Sequence, residues 1–174
     1  ILKKLVSVRA YFELKNGRYV HEALSGVGSV GCYMAHYNLW KLCVEQNKEI
    51  AIFEDDFELL DDSRIEIIQK SYQEAIQKNY DILRIAIYAE KDTYDVDESS
   101  LDSKLIGKVI RTQGNSAYIL TPIAAKKLID TALPMEVHCD HYLDFATLYY
   151  NFNHYFVKGK IVKNPDTSQI GHNG

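Results

Sequence analysis

Ile50-Ala51-Ile52-Phe53-Glu54-Asp55-Asp56 is the stretch on which the reading of this chain turns. Glu49 to Phe53 is a brief apolar run, short enough for a buried strand, and it ends abruptly in three carboxylates. Adjacent carboxylates repel one another, so such a triplet is tolerable where it faces water or a cation. Oxygen donors of this kind suit Mg²⁺ or Mn²⁺. The bland alternative is an acidic turn leading into the next helix, and the tripeptide alone does not separate the two.

Outward from that strand, the pattern alternates. Upstream, Val30, Tyr33, Met34, Tyr37, Trp40 and Val44 recur at helical spacing between Ser29 and Asn47, after a break at Gly26, Gly28 and Gly31. Downstream, Ser63-Arg64-Ile65-Glu66 fits a capping box, which predicts a helix from there to about Asn79. Tyr80 to Tyr88 reads as the next strand. Leu105 to Arg111 and Ser116 to Leu120 read as two more, around Gly114. Thr121-Pro122 caps a helix reaching about Ala132, with proline in the first turn, where its missing N–H costs nothing. A further helix is expected from about His141 to Tyr150, then a short strand near Tyr155 to Val157. At the amino end, Lys4 to Ala10 reads as a short strand. Strands alternating with helices imply a three-layer α/β domain, expected to be single over residues 1–174. In such sheets ligands sit beyond the carboxyl ends of the strands.

Ala89 to Lys104 carries Glu90, Asp92, Asp95, Asp97, Glu98 and Asp102 with few large apolar residues. Such a segment buries too little surface to offset its ordering entropy. It is expected to be a mobile loop bordering the acceptor side of the site, or else a solvated excursion with no role there.

Composition narrows the classes. Hydrophobic residues make up 47% and charged residues 25%, as in ordinary globular proteins. The net charge of −4, with scattered Lys and Arg, argues against a nucleic-acid surface. No run of about 18 apolar residues is present, so no membrane-spanning segment is expected. Three cysteines at irregular spacing, Cys32, Cys43 and Cys139, do not make a disulfide framework and point to a reducing compartment. The expected location is cytoplasmic, peripheral to a membrane at most. No P-loop is present, which ranks phosphotransfer last.

Gly31-Cys32-Tyr33-Met34-Ala35-His36, then Trp40, then Ile52-Phe53-Glu54-Asp55-Asp56 resembles glycosyltransferase family 25, which includes bacterial lipooligosaccharide sugar transferases and collagen galactosyltransferases. Gly114-Asn115-Ser116-Ala117-Tyr118-Ile119-Leu120-Thr121 with Ala125-Lys126-Lys127-Leu128 is similar to the family's Ala-Tyr strand and Ala-Lys-Leu helix. Asp140-His141-Tyr142-Leu143 resembles its Asp-x-Tyr/Phe-Leu segment, and Thr167-Ser168-Gln169-Ile170 its Ser-x-Ile terminus. The resemblance spans roughly Gly28 to Ile170, in the family's order. It departs at Ala35, where the family has Ser, and at Ala124 or Ala125, where it has Gly. The family's opening strand, with Asn-Leu and a nearby Arg, has no visible counterpart in Ile1 to Leu24, which reads as the tail of that opening, as a substitute for it, or as a domain lacking that strand.

The resemblance implies a GT-A-like fold with a mixed, mainly parallel central sheet. It implies an inverting transfer of a sugar, a hexose by expectation, from a UDP-sugar to a hydroxyl of a glycan, a lipid-linked glycan or a protein, with Mn²⁺ or Mg²⁺ as cofactor. Asp56 is the first choice for the metal. Glu54 and Asp55 would serve the metal's waters, the ribose or the donor sugar. Asp140 is the candidate general base, the alternative being a helix N-cap. His172 is the candidate third metal ligand from the tail. His36 either lines the donor site or is a satisfied core histidine. Cys32 and His36 share one helical face at i, i+4, but zinc would need two further ligands. The rival reading is a degenerate transferase-like domain that binds without catalysing.

Overall fold

The computed structural model describes residues 2–17, 24–86, 95–97, 102–112 and 114–163. In chain order it forms α1 (Leu2–Leu5), α2 (Val8–Asn16), α3 (Val27–Gln46), β1 (Ile50–Phe53), α4 (Ser63–Gln77), β2 (Ile82–Ala86), β3 (Asp95–Asp97), β4 (Ile106–Arg111), β5 (Ala117–Leu120), α5 (Pro122–Thr131), α6 (Cys139–Tyr150) and β6 (His154–Val157).

The helices start and stop where local chemistry directs. The Ser29 hydroxyl turns back on Gly26, accepting its N–H at 3.2 Å and donating to its carbonyl at 2.7 Å, and so starts α3. Asn47 ends that helix in the left-handed region. Thr121 Oγ1 accepts the Ala124 N–H and caps α5, with Pro122 at its first position. The capping box expected at Ser63 does not form. Asp61 accepts the Ser63 backbone N–H at 2.9 Å, and Glu66 pairs forward with Lys70 at 2.6 Å. A negative charge near a helix N-terminus interacts favourably with the helix dipole.

Lys4 to Ala10 is not a strand. Ser7 caps α2 by accepting the Ala10 N–H, and the chain is helical on both sides of Val6 and Ser7. Strand character is confined to one bridge, Val6 beside Met135. The apolar residues Val6 and Ala10 are four apart and both buried, a spacing that serves a helix face as well as a short strand.

The sheet order is β1-β5-β2-β6-β4-β3. Here the expectation of a mainly parallel sheet is corrected. Of the adjacent pairs, β2–β6 alone is parallel, and β1–β5, β2–β5, β4–β6 and β3–β4 are antiparallel. The reason lies in the connections. The crossover through α4 sets β1 and β2 in the same direction, but the two are not neighbours. β4 passes to β5 with no helix between them, and both run against β1, β2 and β6. β5 inserts between β1 and β2, and β4 lands beyond β6. β3 also places three residues of the expected acidic loop in the sheet; residues 89–94 and 98–101 of that segment lie outside the described residues.

Helices cover both faces. Successive strand residues alternate between two cores. Ile82, Tyr118 and Leu120 join Trp40, Leu128 and Leu143 under α3, α5 and α6. Leu83, Ile85, Ala117 and Val157 join Ala75 under α4. The register admits no slack at Gly107, where a Cβ would run into the ring of Phe156 on β6. All three cysteines are free.

Candidate active site

β1 stops pairing at its end and turns. Glu54 N–H still bonds to the Ser116 carbonyl at 2.8 Å, and Phe57 N–H closes a turn on the Glu54 carbonyl at 3.1 Å. The turn leaves Glu54 half-buried and holds Asp55 and Asp56 exposed. Three carboxylates therefore sit at the carboxyl end of a strand, as the local sequence predicts.

A chain of hydrogen bonds fixes Glu54. Trp40 Nε1 donates to the Tyr118 hydroxyl at 2.9 Å, Tyr118 Oη meets His36 Nδ1 at 2.8 Å, and His36 Nε2 meets Glu54 Oε1 at 3.2 Å. The proton positions follow from the ends. Burial pushes the Tyr118 hydroxyl well above its ordinary value, so it keeps its proton. Trp40 can only donate, so the Tyr118 proton goes to His36 Nδ1. His36 then carries its own proton on Nε2 and donates to the Glu54 carboxylate. His36 is 3% exposed and both its ring nitrogens are engaged. It lines the site and is a satisfied core histidine at once.

The facing wall comes from α6 and residues 114–115. Asp140 lies in the first turn of α6, with His138 as the flanking residue, so Asp140 is not the N-cap. Its Oδ2 accepts the Gly114 N–H at 3.3 Å and its Oδ1 the His141 N–H at 2.9 Å. Burial alone would raise this carboxyl, but His141, the two backbone donors and Arg84 outweigh it and hold it below the ordinary range. Asp140 is thus ionised at neutral pH with lone pairs to spare.

Behind that wall lies a second polar group that the sequence reading missed. Arg84 is wholly buried on β2. It donates to the Gly114 carbonyl, to Asp144 Oδ1 at 3.3 Å and to His154 Nε2 at 3.1 Å. Asp144 Oδ2 also takes the Thr112 N–H at 2.9 Å. Burial and Arg84 push His154 well below its ordinary value, so it is neutral. Because Arg84 Nε donates to its Nε2, the His154 proton lies on Nδ1 and goes to Thr147 Oγ1 at 2.7 Å. Burial pushes Asp144 up to about 6, against the pull of Arg84 and the Thr112 N–H. A signal for this group was present: one arginine inside the apolar run Tyr80 to Tyr88 must be paired if it is buried. Its partners could not be read, because they lie 30 to 70 residues away.

The two walls enclose a cavity of about 690 Å³. Glu54, Asp55 and Asp56 line one side, Cys32, Ala35 and His36 the floor, and Gly114, Asn115 and Asp140 the other side. Five of the six sequence-predicted residues, His36, Glu54, Asp55, Asp56 and Asp140, thus border one space. His172, like the Thr167–Ile170 segment, lies outside the described residues. Cys32 Sγ, His36 and Glu54 bring ligand atoms within 4.8 Å of one another. Burial and then the carboxylates of Glu54, Asp140, Asp55 and Asp56 push the Cys32 thiol up to about 11. A depression on the outer face of α4, lined by Gln69, Lys70, Gln73 and Glu74, is shallow and holds no comparable cluster.

Two comparisons bear on what this pocket belongs to. The model of glycosyltransferase family 25 (LPS biosynthesis protein) matches residues 4–143. That stretch includes the opening residues, where no family pattern is visible by eye, and stops short of Thr167 to Ile170. A Drosophila melanogaster protein described as a glycosyltransferase 25 family member is 28% identical over 127 residues, covering 68% of this chain. The chain spans 20% of that relative's length. The chain's α/β fold carries an acidic pocket at a strand end. The chain belongs to glycosyltransferase family 25. No helix among the described residues is long and apolar enough to cross a membrane.

Proposed function

We propose that this chain is one catalytic domain of GT-A type that moves a sugar, a hexose by preference, from a UDP-sugar to an acceptor hydroxyl with inversion at the anomeric carbon. The observation that carries the reading is the convergence of Glu54, Asp55 and Asp56 with Asp140 around one cavity, from positions about 85 residues apart in sequence. The cavity is of the size that holds a small-molecule ligand, in the range of about 300–1,000 Å³.

The residues present fit a hard divalent cation. Asp55 and Asp56 are exposed carboxylates lining the cavity, and oxygen donors favour Mn²⁺ or Mg²⁺ over softer metals. When bound, the cation neutralises charge on the diphosphate leaving group. Asp56 is assigned to it directly, with His172 as a further ligand from the tail. Glu54, held by His36, and Asp55 orient the donor's ribose and sugar. Asp140 accepts the proton of the attacking hydroxyl as the glycosidic bond breaks. Its two backbone donors fix its orientation without using all its lone pairs, which leaves it able to meet an acceptor hydroxyl. The acceptor is a glycan, a lipid-linked glycan or a protein, and the expected setting is the cytoplasm, peripheral to a membrane at most.

The test is thermal. Mn²⁺ and UDP together should raise Tm more than the sum of each alone, because a ligand bound only to the native state stabilises it by mass action. Asp56→Ala should abolish that synergy, and UDP release from UDP-hexoses should require the metal. Synergy without turnover of any donor would instead favour the non-catalytic binding module. Equal responses of wild type and Asp56→Ala would place the metal elsewhere.

A further inference from the structure

The floor of the cavity holds a donor set of a different kind from its rim. Cys32 and His36 sit one turn apart on α3, and the end of β1 brings Glu54 to the same point. One sulfur, one ring nitrogen and one carboxylate oxygen lie mutually within 4.8 Å. The His36 Nε2 to Glu54 Oε1 distance is 3.2 Å. Two ligands at ordinary zinc distances in a tetrahedral arrangement stand about 3.3 Å apart. The His36–Glu54 spacing therefore suits a metal as well as a hydrogen bond, and the Cys32 sulfur lies within 4.8 Å of both. All three residues also line the cavity.

We propose that Cys32 Sγ, His36 Nε2 and Glu54 Oε1 form a three-donor site for a thiophilic divalent cation, Zn²⁺ foremost, and that filling it blocks the sugar-donor side of the pocket. The blocking half rests on the donor-site reading above; the binding half does not. The site is distinct from a Mn²⁺ or Mg²⁺ site on the carboxylate rim. Thiolate and imidazole select zinc-like ions, while carboxylate and water select the harder ones. The surroundings favour a cation, since the carboxylates of Glu54, Asp55, Asp56 and Asp140 line the same cavity.

Binding exchanges bonds in a definite way. The Cys32 S–H proton leaves to solvent as the metal–sulfur bond forms. The His36 proton moves from Nε2 to Nδ1, and the bond to Tyr118 reverses so that Nδ1–H donates to the hydroxyl oxygen. This gives the ligating histidine an outer partner of the usual type. The reversal takes away the acceptor that the Tyr118 proton has in the metal-free protein, which makes the site weaker than a closed structural zinc centre. Metal in this position also engages Glu54, the residue assigned to the donor.

Cobalt(II) supplies the probe, because thiolate-bound cobalt absorbs strongly in the near ultraviolet. Titration of the wild-type chain with Co²⁺ should give a saturable sulfur-to-metal band that Zn²⁺ displaces and excess Mg²⁺ does not. Cys32→Ser and Glu54→Gln, checked for intact fold by circular dichroism, should lose the band or weaken its midpoint at least tenfold. Asp56→Ala should retain it. A band that survives Cys32→Ser, one that disappears in Asp56→Ala, or none in the wild type would each overturn the site. The blocking half is read separately: Zn²⁺ at the concentration that displaces cobalt should suppress the Mn²⁺–UDP thermal shift in wild type and not in Cys32→Ser. A normal cobalt titration with an undisturbed UDP shift would retain the zinc site and overturn the blocking.

Discussion

Two polar groups stand on either side of residues 114–115, and they are built on opposite terms. Around Arg84 every charge is buried and answered: Asp144, His154, Gly114 and Asn115 surround the guanidinium. Around Glu54 the carboxylates are half-buried or exposed, and His36 answers only Glu54, leaving Asp55 and Asp56 facing the cavity. The first arrangement holds backbone in place, because a buried charge without its partner is costly. The second keeps charge available to a ligand. Asp140 links the two. Its backbone donor Gly114 has its own carbonyl tied to Arg84, so the buried group sets the orientation of a carboxylate that lines the open one.

The largest expected effect tests the buried side. Arg84→Met leaves Asp144 unpaired and should cost about 3–5 kcal/mol, lowering Tm by roughly 10 °C. The double variant Arg84→Met/Asp144→Leu should recover part of that loss, since it removes the stranded charge as well. If the double variant loses as much as the two single losses added, the pair is not coupled and the contrast fails.

Asp140→Asn tests the link. It should cut turnover by about 10² or more while Tm and UDP binding stay near wild type. A comparable fall in stability with little change in turnover per folded molecule would make Asp140 an anchor for residues 114–115 and nothing else.

Tyr118→Phe probes the bond chain behind Glu54. It strands Trp40 Nε1 and the Nδ1 side of His36, a loss of about 1–3 kcal/mol, and should loosen donor binding in addition. Urea unfolding read beside UDP affinity separates the two. An affinity change without any stability change would mean that the hydroxyl is not shared as described.

The smallest effect is a slope in pH. Asp144 titrates at about 6 in the folded chain against 3.8 ordinarily. A carboxyl that binds its proton more tightly when folded favours the native state below about pH 4, and that contribution is lost as pH rises through 6. Asp140 has the opposite sign: held below its ordinary range, it adds stability above its unfolded value and loses it as pH falls. The difference in urea midpoint between wild type and Asp144→Asn should therefore shift against the wild type from pH 4 to pH 6.5. A flat difference would show that the Arg84 pairing keeps Asp144 ionised throughout.

Much of this was legible in the residues. The period of α3, the proline-started α5 and the short apolar strands follow from side-chain spacing and backbone restriction, which act within a few residues. Glu54-Asp55-Asp56 announces itself, because three carboxylates have no stable place inside a core. The misreadings have equally local causes. Lys4 to Ala10 carries apolar residues at a spacing open to either element, and Ser7 as a cap decided for helix. Ser63 became the first residue of the helix, with its backbone N–H taken by Asp61 two residues before it.

By itself, then, the sequence determined most of the strands and helices beyond Val27, where the acidic turn falls, and the family to which the chain belongs. Only the tertiary structure decided that β5 enters antiparallel between β1 and β2, that Tyr118 reaches His36 across 82 residues, and that Asp140 faces Glu54. The physical reason is that strand pairing and buried ion pairs are stable only after distant segments meet. Their partners are set by loop closure and by the whole core, and neither is encoded in the spacing of neighbouring side chains.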